Sequence, residues 1–172
     1  MRFLDLVQMR RSIRAFAPRA VDAEQRREIL EAARRAPSAG NLQAYEIVEV
    51  HGPARKARLA AAARGQEFVG RAPLILVFSA VPALSAEKYG ARGEQLYCEQ
   101  DATIACAYAQ LAAAAVGLGS VWVGAFDEDA VRAAIDADPL VRPVAILPIG
   151  YPAEPGEATD RRPLAQLVRQ VS

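Results

Sequence analysis

The sequence predicts a three-layer domain, α/β or α+β, with a small central sheet covered by helices. Three features predict it. Helical and strand-like hydrophobic patterns alternate along the chain, with no repeat and no linker between them. Pro73-Leu74-Ile75-Leu76-Val77-Phe78 is a continuous apolar run, as expected of a strand buried on both faces. Residues 94–116 read as a long helix that is apolar on nearly every side and therefore lies inside the molecule.

The elements follow in order. Phe3, Leu4, Leu6, Val7 and Met9 make a short amphipathic helix over 3–9, ending at a cluster of arginines. Asp22 with Gln25 three residues later forms a capping box. It opens a helix that runs through Ala36, with Ile29, Leu30 and Ala33 inward and Arg/Glu pairs outward. Pro37-Ser38-Ala39-Gly40-Asn41 breaks the chain into a loop, and Tyr45 to Val50 reads as a strand. Arg55 to Arg64 is an alanine-rich helix, followed by the apolar strand at 73–78. The segment 82–93, with Pro82, Gly90 and Gly93 and little periodicity, is expected as a loop, and the sequence does not decide whether it forms a flap over a site. The long helix closes at Gly117-Leu118-Gly119. Val121-Trp122-Val123 gives a short strand, Asp127 caps a helix to about Ala137, Pro143 to Ile149 gives a last strand, and Leu164 to Val171 a terminal helix.

The 172 residues fit one domain over 1–172 with a real core. Twenty-one basic against 20 acidic residues, a net charge of +1, argue against a nucleic-acid or membrane-surface role carried by bulk electrostatics. Much of the apolar content is alanine, as in Ala60–Ala63 and Ala112–Ala115, so helices should pack closely and a second subunit would complete burial. Cys98 and Cys106 share the long helix roughly 12 Å apart, too far for a disulfide. No signal-like stretch opens the chain and no run of about 20 apolar residues is present, so a cytoplasmic protein is expected.

The chemistry-bearing residues form four groups. Arg10, Arg11, Ser12 and Arg14 place three guanidiniums and a hydroxyl within five residues, a donor set suited to a phosphate. Ser38, Asn41 and Gln43 offer a hydroxyl and two amides, and an amide suits the edge of a planar heterocycle. Gly124 and Ala125 precede a helix start and leave room for backbone N–H groups to approach a ligand. Arg161 and Arg162 stand before Pro163, near a helix N-terminus, and can converge with the first group on one dianion.

Other motifs fail. Gly117-Leu118-Gly119 lacks the third glycine, since position 122 is Trp, and it ends a helix where a dinucleotide fingerprint would open one. There is no phosphate-binding P-loop, and a single histidine, His51, excludes most histidine-dependent metal sites and serine-histidine triads. Without an evident acid, base, nucleophile or metal ligand, no side chain is assigned as catalytic, and the phosphate site points to a cofactor that brings its own reactivity.

Five segments in order, RRSIRAF at 10–16, PSAGNLQAY at 37–45, GLGSVWVGAF at 117–126, PVAILPIGYP at 143–152 and RRPL at 161–164, resemble the FMN-dependent nitroreductase family in its compact form. The resemblance covers essentially the whole chain. It implies an α+β three-layer sandwich with a mixed or antiparallel sheet, helices on both faces and an intertwined homodimer binding FMN at its interface. It further implies that Arg10, Arg11, Ser12 and Arg14 hold phosphate and ribityl oxygens, completed by Arg161 or Arg162. Asn41, with Gln43 and Ser38, would address the ribityl chain or ring edge, often from the partner chain, and Gly124 and Ala125 the N5 and O4 side of the ring. The implied activity is hydride transfer from NAD(P)H through flavin N5 to a nitroaromatic, quinone or flavin in a ping-pong cycle. A flavin-storing or flavin-sensing protein without turnover is the alternative. Two positions depart from the family pattern: Ala44-Tyr45 replaces Pro-Trp, and Ala107-Tyr108 replaces Gln-Asn in the long helix.

Overall fold

The computed structural model describes residues 2–171. Four strands form one sheet in the order β1 (Tyr45–Glu49), β2 (Leu74–Ala80), β4 (Arg142–Gly150), β3 (Gly119–Ser120). Every pairing is antiparallel, with Ile47 opposite Phe78, Leu76 opposite Leu147 and Ser120 opposite Ile149. Of the two sheet types the resemblance allowed, the structure adopts the antiparallel one.

Helices lie on both faces because β2 is buried at every position, apolar at all but Ser79, and its side chains alternate. Ile75 and Val77 join Leu59 of α3 (Pro53–Ala62), Val69 of α4 (Glu67–Arg71) and Val131 of α7 (Glu128–Ile135) in one core. Leu74, Leu76 and Phe78 join Ile29 of α2 (Ala23–Arg34) and Ala105, Ala109 and Ala113 of α6 (Cys98–Ala115) in the other. Small residues along α6 let α2 and the sheet approach it closely. Truncating fully buried Phe78 to alanine would cost about 3–5 kcal/mol.

Local signals place several elements as expected. Asp22 and Gln25 make the reciprocal capping box of α2, and the Gln25 amide also donates to the Val116 carbonyl at 2.9 Å. The Asp127 carboxylate accepts from Ala130 N at 2.8 Å and starts α7. Cys98 and Cys106 are both free and buried in α6, and His51 is exposed on the surface beside Glu49.

Three expectations are corrected. Residues 82–93 are not a loop: α5 spans Pro82–Arg92 and continues through a π turn at Gly93–Tyr97 into α6. Pro82 sits at the first helical turn, where its missing N–H breaks no bond. Gly90, at φ 56°, absorbs the kink, and Gly93 is small because the Ser85 carbonyl packs directly over it. The strand expected at 121–123 lies at 119–120, and Val123 keeps only an isolated bridge to Ile146. The terminal helix is one turn, α8 (Leu164–Leu167), because nothing in the single chain covers its apolar side chains. The short helix α4 was not anticipated. Among the described residues no helix is long and apolar enough to cross a membrane.

Candidate functional site

The arginine cluster sits on an arm that leaves α1 (Phe3–Met9) and runs along the sheet edge. Ser12 bridges Ser120 in parallel, and Ile13 N donates to the Ser120 carbonyl at 3.1 Å. Ile13 is buried against Gly119, where a Cβ would lie 2.7 Å from Ile13 Cγ1, so the arm can seat only on a glycine. The chain after β4 then pairs back along the same arm. Ala17 N donates to the Tyr151 carbonyl at 2.8 Å and Ala153 N to the Ala15 carbonyl at 2.9 Å, with Phe16 bridging Pro152. Gly156, at φ 70°, has Arg11 and Ile13 packed where a side chain would project. Residues far apart in sequence are thereby laid side by side.

Between them is a cavity of about 500 Å³, lined by Arg10, Arg11, Ser12, Arg14 and Arg161 together with Val7, Gln8 and residues 157–159. Four arginines line it, and Glu157 is the one carboxylate among the lining residues. Among the described residues none of the four enters a salt bridge, although Arg2, Arg19, Arg26, Arg34, Arg35, Arg55 and Arg142 all do. Burial, then the neighbouring Arg161 and Arg11 charges, pull Arg10 below its ordinary value. Concentrated like charge without a paired acid is costly unless an anion completes it, so the donor set fits a phosphate dianion. Arg161 lines the cavity while donating to Thr159 Oγ1 at 2.7 Å, whereas Arg162 is outside the lining and donates to the Gln166 carbonyl at 2.8 Å, which leaves Arg161 as the C-terminal member of the cluster.

The other sequence-predicted residues lie elsewhere in the single chain. Ser38 lines a second cleft of about 630 Å³ with Tyr97, Asp101 and Ile104. Asn41 and Gln43 are exposed on the same loop, both with positive φ (59° and 47°), beside Gly40 at 57°. Three left-handed residues in four hold backbone strain of the kind found at ligand-binding loops. Gln43 Nε2 donates to Asn41 Oδ1 at 2.8 Å, and Gln43 N to Ser38 Oγ at 3.0 Å, so the three polar side chains form one network. Gly124 and Ala125 are exposed in the turn before α7 and line neither cavity.

Two carboxylates in this architecture were missed in the sequence. Asp101, fully buried in α6, accepts from Ala39 N at 2.9 Å and Ala44 N at 3.4 Å and ties down both ends of the amide-bearing loop. With Glu99 and Gln100 beside it at the start of α6, Asp101 reads in sequence as part of a polar first turn, and no signal singles it out. Glu154 accepts from Arg14 N at 2.6 Å and Ala15 N at 3.1 Å. Those two N–H groups, Arg14 first, hold its carboxyl below the usual range. It sits in a proline-rich stretch that reads only as a turn.

Comparison with known proteins agrees with this architecture. The model of the nitroreductase family matches residues 7–66 and 60–151. An NADH dehydrogenase of Thermus thermophilus is 36% identical, over 92% of this chain and 91% of its own length. An FMN reductase [NAD(P)H] of Bacillus subtilis is 30% identical, over 89% of this chain and 67% of its own. Among solved structures, the NADPH:FMN oxidoreductase from Vibrio harveyi complexed with NAD+ superposes with a TM-score of 0.89 at 26% identity, covering 98% of this chain and 76% of that one. With family model, sequence relatives and fold in agreement over nearly its full length, the chain belongs to the nitroreductase family.

Proposed function

We propose that this chain is an FMN-dependent oxidoreductase that uses NAD(P)H as electron donor and an electron-poor acceptor such as a nitroaromatic, a quinone or free flavin. The observation that carries the reading is the set of four arginines, from both ends of the chain and in no salt bridge among the described residues, around one cavity. The names of the relatives, FMN reductase and NADPH:FMN oxidoreductase, support the same cofactor and donor. When bound, FMN supplies the hydride chemistry between NAD(P)H and acceptor, the two taking turns in a ping-pong cycle.

The protein's own groups bind and orient. Arg10, Arg11, Arg14 and Arg161, with the Ser12 hydroxyl, hold the phosphate and the adjoining ribityl oxygens. Ser38, Asn41 and Gln43, as one hydrogen-bonded unit, address the ribityl chain or ring edge from the partner chain, and backbone at Gly124 and Ala125 approaches the ring. A homodimer is the working form, in the cytoplasm. Phe3 and Leu4 of α1 and Leu164, Val168 and Val171 of the C-terminal segment are each more than 60% exposed in the single chain, and a second copy would cover them. Titration of the flavin-free protein with FMN, followed by fluorescence quenching, tests the cofactor and should saturate at about one FMN per chain. Absence of binding refutes the reading. Steady-state NAD(P)H oxidation with menadione or a nitroaromatic then separates an enzyme from a flavin store, which would bind FMN and turn nothing over.

A further inference from the structure

We propose that Glu154 is the positioning residue of the phosphate site: one of its carboxylate oxygens fixes the backbone that aims Arg14 and joins the two arginine-bearing segments. The inference rests on the phosphate reading above and goes beyond it by naming a residue that touches no ligand. Arg14 is exposed, its guanidinium lies 6.0 Å from the Phe68 ring, and among the described residues it enters no salt bridge and donates no side-chain hydrogen bond. With no hydrogen bond of its own to hold it, the side chain depends on the backbone for the point from which it projects. Glu154 Oε1 accepts both Arg14 N at 2.6 Å and Ala15 N at 3.1 Å, across about 140 residues of sequence.

Immediately beyond it the chain turns at Gly156, packs on Arg11 and Ile13, and enters the cavity lining at residues 157–159 and Arg161. One oxygen therefore adds two bonds to the backbone pairing at residues 15–17 and 151–153, at the point of the arm that carries Arg14. A carboxylate near a phosphate site should repel the ligand. Here its charge is spent on two backbone donors, which keep it ionised and turned onto the main chain. Because a single oxygen accepts both bonds, a glutamine can reproduce the arrangement with a neutral acceptor, whereas alanine cannot.

The test compares FMN with riboflavin, which shares ring and ribityl chain but lacks the phosphate, by fluorescence quenching in wild type, Glu154→Ala, Glu154→Gln and Arg14→Ala. Glu154→Ala should bind FMN about tenfold more weakly, as for loss of a charge-assisted contact, and riboflavin as wild type does. Glu154→Gln should restore FMN affinity to within about threefold. The unchanged riboflavin affinity reports that the fold is intact. Equal losses for both ligands in Glu154→Ala, or wild-type FMN affinity in that variant, overturn the role given to Glu154. Should Arg14→Ala leave the FMN-to-riboflavin ratio untouched, the phosphate reading itself fails.

Discussion

Arg10→Met removes one guanidinium while keeping an unbranched apolar stem, so packing against the arm is largely preserved. In the wild type this guanidinium is partly buried beside Arg161 and Arg11 and pairs with no acid, so its charge opposes folding of the empty protein and favours binding of an anion. The substitution should therefore act with opposite signs on the two. A charge-assisted hydrogen bond is worth about 1.5–3 kcal/mol, which raises the FMN dissociation constant roughly 10- to 150-fold. At an FMN concentration 100 times the wild-type dissociation constant, ligand stabilises the wild type by about 2.7 kcal/mol. A tenfold weaker variant retains about 1.4 kcal/mol under the same conditions. In a chain of this length that difference lowers the flavin-induced rise in melting temperature by about 3–5 °C. Scanning calorimetry with and without FMN reads both quantities. Without flavin, Arg10→Met should melt no lower than wild type. A variant that melts several degrees lower without flavin, yet keeps the full flavin-induced rise, refutes the assignment of Arg10 to an anion site.

Three further outcomes are expected. Asp101→Asn puts an amide N–H₂ or a weaker neutral acceptor against Ala39 N and Ala44 N. It should cost about 1–3 kcal/mol in urea unfolding and speed amide exchange at residues 39–44; unchanged stability and exchange would remove Asp101 as the anchor of that loop. Glu31 is held down to about 2 by hydrogen bonds from Arg34 and then Arg35. Its folded value lies below its unfolded one, so its contribution is present above about pH 4.5 and is lost as pH falls toward 2. Wild type should melt above Glu31→Gln near neutrality and converge with it in acid, by a margin that shrinks with salt because the pair is exposed; a margin independent of pH would contradict this. Finally, Leu164→Ser should raise the dimer dissociation constant in sedimentation, whereas a wild-type protein that stays monomeric and still holds FMN would contradict the interface.

What the sequence made legible is what short-range physics decides. The Asp22/Gln25 box, the Asp127 cap and the uninterrupted apolar run of β2 each specify one local outcome, and each was found where expected. Donor chemistry points to convergence of the Arg161–Arg162 pair with the Arg10–Arg14 arm without choosing between the two; the backbone pairing at residues 15–17 and 151–153 draws the segments together, and Arg161 is the one that lines the cavity. The misreadings share a cause. Over 82–93, Pro82 and Gly93 read in sequence as helix breakers, whereas one starts a helix and the other admits a carbonyl, and only tertiary packing distinguishes these uses. At 164–171 the apolar pattern is genuine, but it has no surface to pack on within one chain. Glu154 and Asp101 escaped because a carboxylate that accepts from distant backbone N–H groups leaves no spacing in the sequence.

Crystals grown with FMN offer the most direct test of the arginine site. Density for the phosphate between Arg10, Arg11, Arg14 and Arg161 is the expected result. A phosphate bound elsewhere, with those four guanidiniums facing solvent, would contradict it.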